Sequence, residues 1–259
     1  MKILFLGDIC AQPGRQVVID NIDRLKEKYE ADFVIANGEN AAGGFGLTPK
    51  IATELLTKID CLTLGDHFLD RKELAPFLEI ENRIVRPLNF PLGVPGRGYQ
   101  IFNQNGKKMA VINLLGRVFL RPVDCPFQKV REILFPLREK TKIIIVDFHA
   151  EATAEKVAMG WFLDGEVSAV IGTHTHIPTA DERILPKGTA YITDIGMCGA
   201  LDSVLGMKIE TSLKRILTGV SYRLEPASTN VKISGVYLVI DEVSGRANLI
   251  KRIQEPENV

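Results

Sequence analysis

The sequence is short of several things, and each shortage excludes something. It holds four cysteines, Cys10, Cys61, Cys125 and Cys198, with no CxxC pair among them, which argues against a disulfide framework and against a zinc–thiolate site. It has no long apolar run. The opening MKILFLGDICAQPG is continuously apolar only over residues 3–6, too short for a signal-peptide core and far from the roughly 20 residues of a membrane helix. A cytoplasmic, soluble protein is therefore expected. Nor is there an excess of charge: 32 Lys and Arg face 32 Asp and Glu, so no general pull toward nucleic acid or membrane exists, and only a local basic pocket stays open. No linker, repeat or low-complexity tract breaks the 259 residues, and a single domain over 1–259 is expected.

What is present is a regular alternation. Apolar runs at 3–6, 33–36 and 62–64 read as buried strands. Between them Val18, Ile22, Leu25 and Tyr29 recur at helical spacing, predicting a helix from near Gly14, and a second helix is expected from near Pro49. Strand, helix, strand, helix, strand is the pattern of an α/β fold with neighbouring parallel strands. Further on, Asn105-Gly106 predicts a hairpin between 99–102 and 109–114. Helices are expected over 129–138 and 152–161, strands over 142–146 and 167–171, and a mainly β last quarter with two strands around Ser244-Gly245.

Nearly every expected strand ends on a residue type that binds metal: Asp8, Glu39-Asn40, Asp66-His67, His149, and His174 with His176. The chain has only four histidines, and all sit at such ends, where open α/β sheets gather their ligands. Taken singly, Asp8 also reads as a turn cap, Glu39 as a solvated loop carboxylate and His149 as a satisfied core histidine. His174 and His176, two apart, would share a face of an extended segment. Three histidines with carboxylates suit iron, manganese or zinc better than calcium or magnesium. Ligands on five strand ends exceed one tetrahedral ion, so two ions roughly 3.5–4 Å apart with a bridging carboxylate are expected, clamping a phosphate oxygen and turning a bridging water into a hydroxide nucleophile. Gly43, Gly44 and Gly46 read equally as a phosphate cradle or as turn geometry.

The segments Gly7-Asp8, Gly38-Glu39-Asn40, Gly65-Asp66-His67, Asp147-Phe148-His149 and Gly172-Thr173-His174-Thr175-His176 resemble the calcineurin-like metallophosphoesterase superfamily. NGENAAGGFGLT at 37–48, RPLNFP at 86–91, INLLGR at 112–117, DFHAEAT at 147–153 and ILPKGTAYITDIGM ending at Met197 resemble its YmdB-like phosphodiesterase branch, over Gly7 to about Met207. The resemblance implies a four-layer αββα sandwich of two mixed sheets, a dinuclear iron or manganese centre, and hydrolysis of phosphodiesters, 2′,3′-cyclic nucleotides in particular. By the same resemblance one metal would take Asp8, Glu39 and His176 with Asn40 close by, and the other Glu39, Asp66, His149 and His174. Glu39 would bridge, and His67 would be the general acid. Asp70 is placed to orient His67, with a surface role as its alternative. The implied partner is a small phosphodiester or nucleotide substrate. No membrane and no broad nucleic-acid surface is expected, and a homo-oligomer stays open.

Two positions depart from the superfamily. Asp66 stands where its pattern has Asn, adding a negative charge and removing an N–H donor. This predicts a preference for diesters over dianionic monoesters, which an Asp66→Asn variant tests through the ratio of the two rates. Cys10 stands where a histidine is common, so the first metal would rely on Asn40, and Cys10 reads as a small buried thiol. Two other functions compete: a regulatory protein that keeps the metal fold but signals through a partner, and a phosphomonoesterase or nucleotidase. Arg86, Arg97 and Arg117 are read as solvated surface residues rather than as a nucleic-acid contact.

Overall fold

A computed structural model describes residues 1–256. In chain order the elements are β1 (Lys2–Leu6), β2 (Asp8–Ile9), α1 (Ala11–Tyr29), β3 (Phe33–Asn37), α2 (Pro49–Leu55), β4 (Cys61–Thr63), α3 (Leu74–Ile80), β5 (Ile84–Val85), β6 (Tyr99–Gln104) and β7 (Lys107–Leu115). There follow α4 (Pro126–Arg138), β8 (Ile143–His149), α5 (Thr153–Phe162), β9 (Ala169–Thr173), β10 (Arg183–Ile184), β11 (Ala190–Ile192), β12 (Met197–Ala200), α6 (Ile209–Thr218), β13 (Val231–Ile240) and β14 (Ala247–Glu255).

The strands form two mixed sheets. One has eight strands in the order β2-β12-β13-β1-β3-β4-β5, with β14 also paired to β13; the other has six, β10-β11-β9-β8-β7-β6. The run β1-β3-β4-β5 is parallel, as the strand–helix alternation predicts, and so is β7-β8-β9-β11.

Strands buried on both faces explain why the runs are continuously apolar rather than alternating. In β1, Ile3 and Phe5 face the space between the sheets, while Leu4 and Leu6 face α1. In β8, Ile143 and Ile145 join the inter-sheet core, and Ile144, Val146 and Phe148 pack under α4 and α5. Three separate apolar cores thus lie between four layers, helix, sheet, sheet, helix.

Local chemistry accounts for the boundaries. Thr48 caps α2 by accepting the Ile51 N–H at 3.3 Å, with Pro49 in the first turn. The first helix begins at Ala11 rather than Gly14, and the fourth at Pro126 rather than residue 129, because Pro13 and Pro126 are tolerated in a first turn, where no N–H is needed. Asn105 and Gly106 carry φ of 53° and 81°, the left-handed pair of a two-residue hairpin. The last quarter is mainly β as expected, with β13 and β14 on either side of Ser244-Gly245, but it also holds a helix not foreseen, α6. Its apolar residues Ile209, Leu213 and Ile216 do recur at helical spacing, but they are exposed and only Ser212 is buried. No core face marks this helix.

Candidate metal centre

Both sheets aim the C-terminal ends of their parallel strands at one place. The first sheet delivers Asp8 at the start of β2, Glu39 and Asn40 after β3, and Asp66 and His67 after β4; the second delivers His149 as the last residue of β8 and His174 and His176 after β9. All eight expected site residues therefore meet there. One ligand atom from each of Glu39, Asp66, His149 and His174 lies within 4.8 Å of the others. His149 Nε2 is 2.9 Å from Glu39 Oε1 and 3.3 Å from Asp66 Oδ1. Beside this group Asn40 Nδ2 stands 3.4 Å from Asp8 Oδ1, 3.3 Å from Glu39 Oε1 and 3.1 Å from His176 Nε2.

The outer nitrogen of each of the three clustered histidines is committed to an acceptor. Thr173 donates its hydroxyl to Asp147 Oδ1 at 2.7 Å, so it accepts from His149 Nδ1 at 2.9 Å. His174 Nε2 faces Glu151 Oε2 at 3.1 Å, and His176 Nδ1 donates to the Leu205 carbonyl at 3.1 Å. In the neutral tautomers this leaves three inner nitrogens with lone pairs turned inward: that of His176 meets the Asn40 amide, while those of His149 and His174 face carboxylates and each other, with His174 Nδ1 and His149 Nε2 3.0 Å apart. Lone pairs and carboxylates converging in a buried space repel unless a proton or a cation lies between them. Asp66 Oδ1 is buried, and its polar neighbours are His149 Nε2 at 3.3 Å and His174 Nδ1 at 3.6 Å. The donor set fits a transition metal.

The ionisation of the site carries the same stress. Burial works to lower the His149 pKa, but Glu39, Asp66 and Asp8 drive it well above the usual imidazole value. Burial and the charge of His149 push His174 down to about 3. Burial also works to raise Glu39 and Asp66, yet His149, by charge and hydrogen bond, holds both below the ordinary carboxylate range. Asp8, wholly buried, is raised by that burial, and Asp147 is pushed up to about 7 for the same reason.

His67 stands apart from the clustered ligands. Its backbone N–H donates to Glu39 Oε2 at 3.0 Å, and its Nδ1 faces Asp70 Oδ2 at 2.8 Å, as the spacing of the two residues implies. Its Nε2 is 3.8 Å from Asp66 Oδ2, and Phe45 meets the ring edge-on with centroids 5.2 Å apart. Gly65 has to lack a side chain, because a Cβ there would collide with Glu39 Oε2 and His149 Nε2.

The two-residue spacing of His174 and His176 does not act as expected. They do not share a face of an extended segment: their φ values are 104° and 65°, sparsely populated for residues with a side chain. The kinked backbone sends His174 to His149 and Asp66, and His176 to Asp8 and Asn40. Asp194 holds this loop in place. It accepts the Thr175 N–H at 3.1 Å and the Gly196 N–H at 2.8 Å, and pairs at 2.6 Å with Lys156, which also donates to the Thr173 carbonyl at 2.7 Å. Sequence reasoning passed over Lys156, Asp194 and Glu151, although Glu151 follows His149 by two residues.

The remaining candidates have structural places. Cys10 is buried against Met197 and Met207, its thiol pushed up to about 12 by burial. Gly43, Gly44 and Gly46 all carry positive φ, and Gly44 packs on Met207. Arg86 is not a surface residue. It is buried and donates to the carbonyls of Pro87, Val94 and Pro95, at 2.7, 3.1 and 3.3 Å. Arg97 pairs with Asn82, and the Arg117 backbone N–H is held by Glu155.

Comparison with known proteins shows what the whole chain is similar to. The chain is 50% identical over 254 residues, 98% of its length and 96% of the relative's, to the 2′,3′-cyclic-nucleotide 2′-phosphodiesterase of Bacillus subtilis strain 168. A crystal structure of a protein from Thermus thermophilus superposes with a TM-score of 0.92 at 41% identity, covering 98% of each chain. Another, described as a novel phosphatase from Mycoplasma pneumoniae, also gives 0.92, at 36% identity over 98% of this chain and 92% of that one. The model of the YmdB-like protein family matches residues 4–253, and the chain belongs to that family.

Proposed function

We propose that the protein is a metal-dependent phosphodiesterase that opens 2′,3′-cyclic nucleotides, and that it works as one domain over 1–259. The observation that carries this reading is the set of three histidines whose outer nitrogens are tied to Thr173, Glu151 and Leu205 and whose inner nitrogens face Glu39, Asp66, Asp8 and Asn40. Identity to the Bacillus phosphodiesterase supports the substrate class. Glu39, Asp66, His149 and His174 would hold one ion, and Asp8, Asn40 and His176 a second, with Glu39 shared; iron or manganese suits these ligands, and zinc is the alternative. Bound ions of this kind supply Lewis acidity, neutralising phosphate charge and acidifying water.

The chain's own groups do the rest. Water adds to phosphorus and the P–O2′ bond breaks, leaving a 3′-phosphomonoester. The departing ribose oxygen is a poor leaving group and needs a proton. His67 is placed to give it from Nε2, because Asp70 holds Nδ1 and so fixes the ring. Phe45 against the same ring shields it from bulk water on one side.

The test is metal analysis of purified protein beside hydrolysis of 2′,3′-cyclic AMP and bis-p-nitrophenyl phosphate with Mn²⁺. Turnover that Glu39→Gln abolishes is expected. Failure to bind a transition metal under any loading condition overturns the reading. Metal binding without turnover would favour the regulatory function instead.

A further inference from the structure

Two cavities adjoin beside the candidate metal centre. The first, of about 440 Å³, runs from Glu39, His67, His174 and His176 to α6. The second, of about 610 Å³, is lined by Arg71, Arg215, Tyr222 and Arg223. They share Phe45, Arg215 and Leu224, so one cleft leads from the ligand cluster into an arginine-rich chamber.

Part of the charge there is unspent, although Arg223 lies close enough to Glu225 to act on it. Among the described residues the Arg215 guanidinium makes no hydrogen bond or ion pair. The carboxylate in the second lining, Glu225, is paired with Lys208 at 2.7 Å. Outside both linings, Lys214 Nζ lies over one face of the Tyr222 ring, 4.4 Å from its centre, which leaves the other face for a base. Arg71 uses Nε and Nη2 on the carbonyls of Phe45 and Ala42, at 3.2 and 2.8 Å, which holds the Phe45 loop to the cleft. In the first cavity the Ser212 hydroxyl is buried without a partner, so a ligand polar group there would supply the hydrogen bond it lacks. In a chain of zero net charge, cations interleaved with two aromatic rings along one cleft have the chemistry of a short single-stranded nucleic-acid site.

We propose that the preferred substrate is a 2′,3′-cyclic phosphate at the 3′ end of an oligoribonucleotide rather than a free cyclic nucleotide. The terminal nucleoside fills the first cavity, with Ser212 Oγ as a hydrogen-bonding partner. The phosphodiester on its 5′ side meets Arg215 and Arg223, and the preceding base stacks on Tyr222. The proposal rests on the phosphodiesterase reading above, and its chemistry is unchanged: water is added, the P–O2′ bond breaks, and the 2′ oxygen takes the proton.

The test compares kcat/KM for 2′,3′-cyclic AMP, its 5′-phosphorylated form, and the diadenylate ending in a 2′,3′-cyclic phosphate, on wild type, Arg223→Ala and Arg223→Lys. About a tenfold advantage for the diadenylate over cyclic AMP is expected, collapsing in Arg223→Ala and largely kept in Arg223→Lys. A binding arm uses the anisotropy of a labelled, 3′-phosphorylated tetra-adenylate. Its log K should fall with log salt by about 0.7 per contacted phosphate, and Arg223→Ala should flatten that slope. Equal kcat/KM for cyclic AMP and diadenylate overturns the proposal. So does a 5′-phosphorylated nucleotide that matches the diadenylate, which marks a lone phosphate pocket. So does an Arg223→Ala loss equal on all substrates. If nothing is turned over, the phosphodiesterase reading fails, while the salt slope still decides whether the cleft takes an oligonucleotide.

Discussion

Replacing Lys156 with methionine tests the claim that the two-histidine loop is held from behind by a buried ion pair. Lys156 and Asp194 have side-chain exposures of 1% and 0% and are joined at 2.6 Å. Methionine keeps the apolar stem but removes the charge and the bond to the Thr173 carbonyl. Asp194 retains the N–H groups of Thr175 and Gly196, yet its carboxylate is left buried without a counter-charge. Breaking a buried pair from one side costs about 3–5 kcal/mol. For a chain of this size each kcal/mol lowers Tm by roughly 2–4 °C, so a fall of about 6–20 °C is expected in apo protein by calorimetry. The double variant Lys156→Met with Asp194→Leu removes both charges and should regain part of that loss in a double-mutant cycle. Because Asp194 grips the residue between His174 and His176, the single variant should also bind Mn²⁺ more weakly. A loss below about 1 kcal/mol, or a double variant no more stable than the single, would refute the reasoning.

Three further outcomes follow from the same geometry. His67→Ala should slow 2′,3′-cyclic AMP hydrolysis by about 10²–10⁴-fold while retaining metal, but should slow bis-p-nitrophenyl phosphate far less, since p-nitrophenolate leaves without a proton; equal losses would remove His67 as the acid. Gly65→Ala should displace the Glu39 carboxylate and the His149 ring and weaken metal affinity by at least about 10–100-fold; full metal content by elemental analysis would contradict it. At Glu255 burial works to raise the pKa, but Lys28, Arg24 and Tyr29 outweigh it and hold the group below its ordinary 4.5. A depressed folded pKa gives stability that is present above 4.5 and is lost as pH falls through the folded value. Glu255→Gln should therefore cost about 1–3 kcal/mol at neutral pH and little in acid, and a urea-denaturation difference that is the same at both pH values would count against the pairing.

The candidate ligands are legible because parallel strands point their carboxyl ends one way, so Asp8, Glu39, Asp66, His149 and His174 can be gathered from five separate strands without knowing the topology. The alternation of helix and apolar strand carried the sandwich for the same reason: β1, β3 and β8 are buried on both faces and read as unbroken apolar runs. What stayed hidden depends on contacts distant in the chain. Nothing local marks Lys156 as the partner of Asp194, 38 residues on, or Leu205 as an acceptor for His176, 29 residues on. Periodicity speaks only of regular backbone, so it does not place the histidine loop, where His174 and His176 lie in a region of φ that regular strands avoid. The helix Ile209–Thr218 was passed over because it buries almost nothing, so its helical spacing carried no core signal.

The position of β13 bears on how the molecule is made. Val231–Ile240, late in the chain, lies between β12 and the first strand, pairing with β1 over Lys2 to Leu6 and with β12 at Gly199 and Ala200. During synthesis β1 can join β3 early, but its other edge stays open until residues 231–240 have emerged from the ribosome. An unpaired edge flanked by apolar faces invites wrong pairing. Vectorial synthesis thus closes this sheet late at its middle, and a chain that stops short of residue 231 carries β1 with one edge unpaired beside apolar faces.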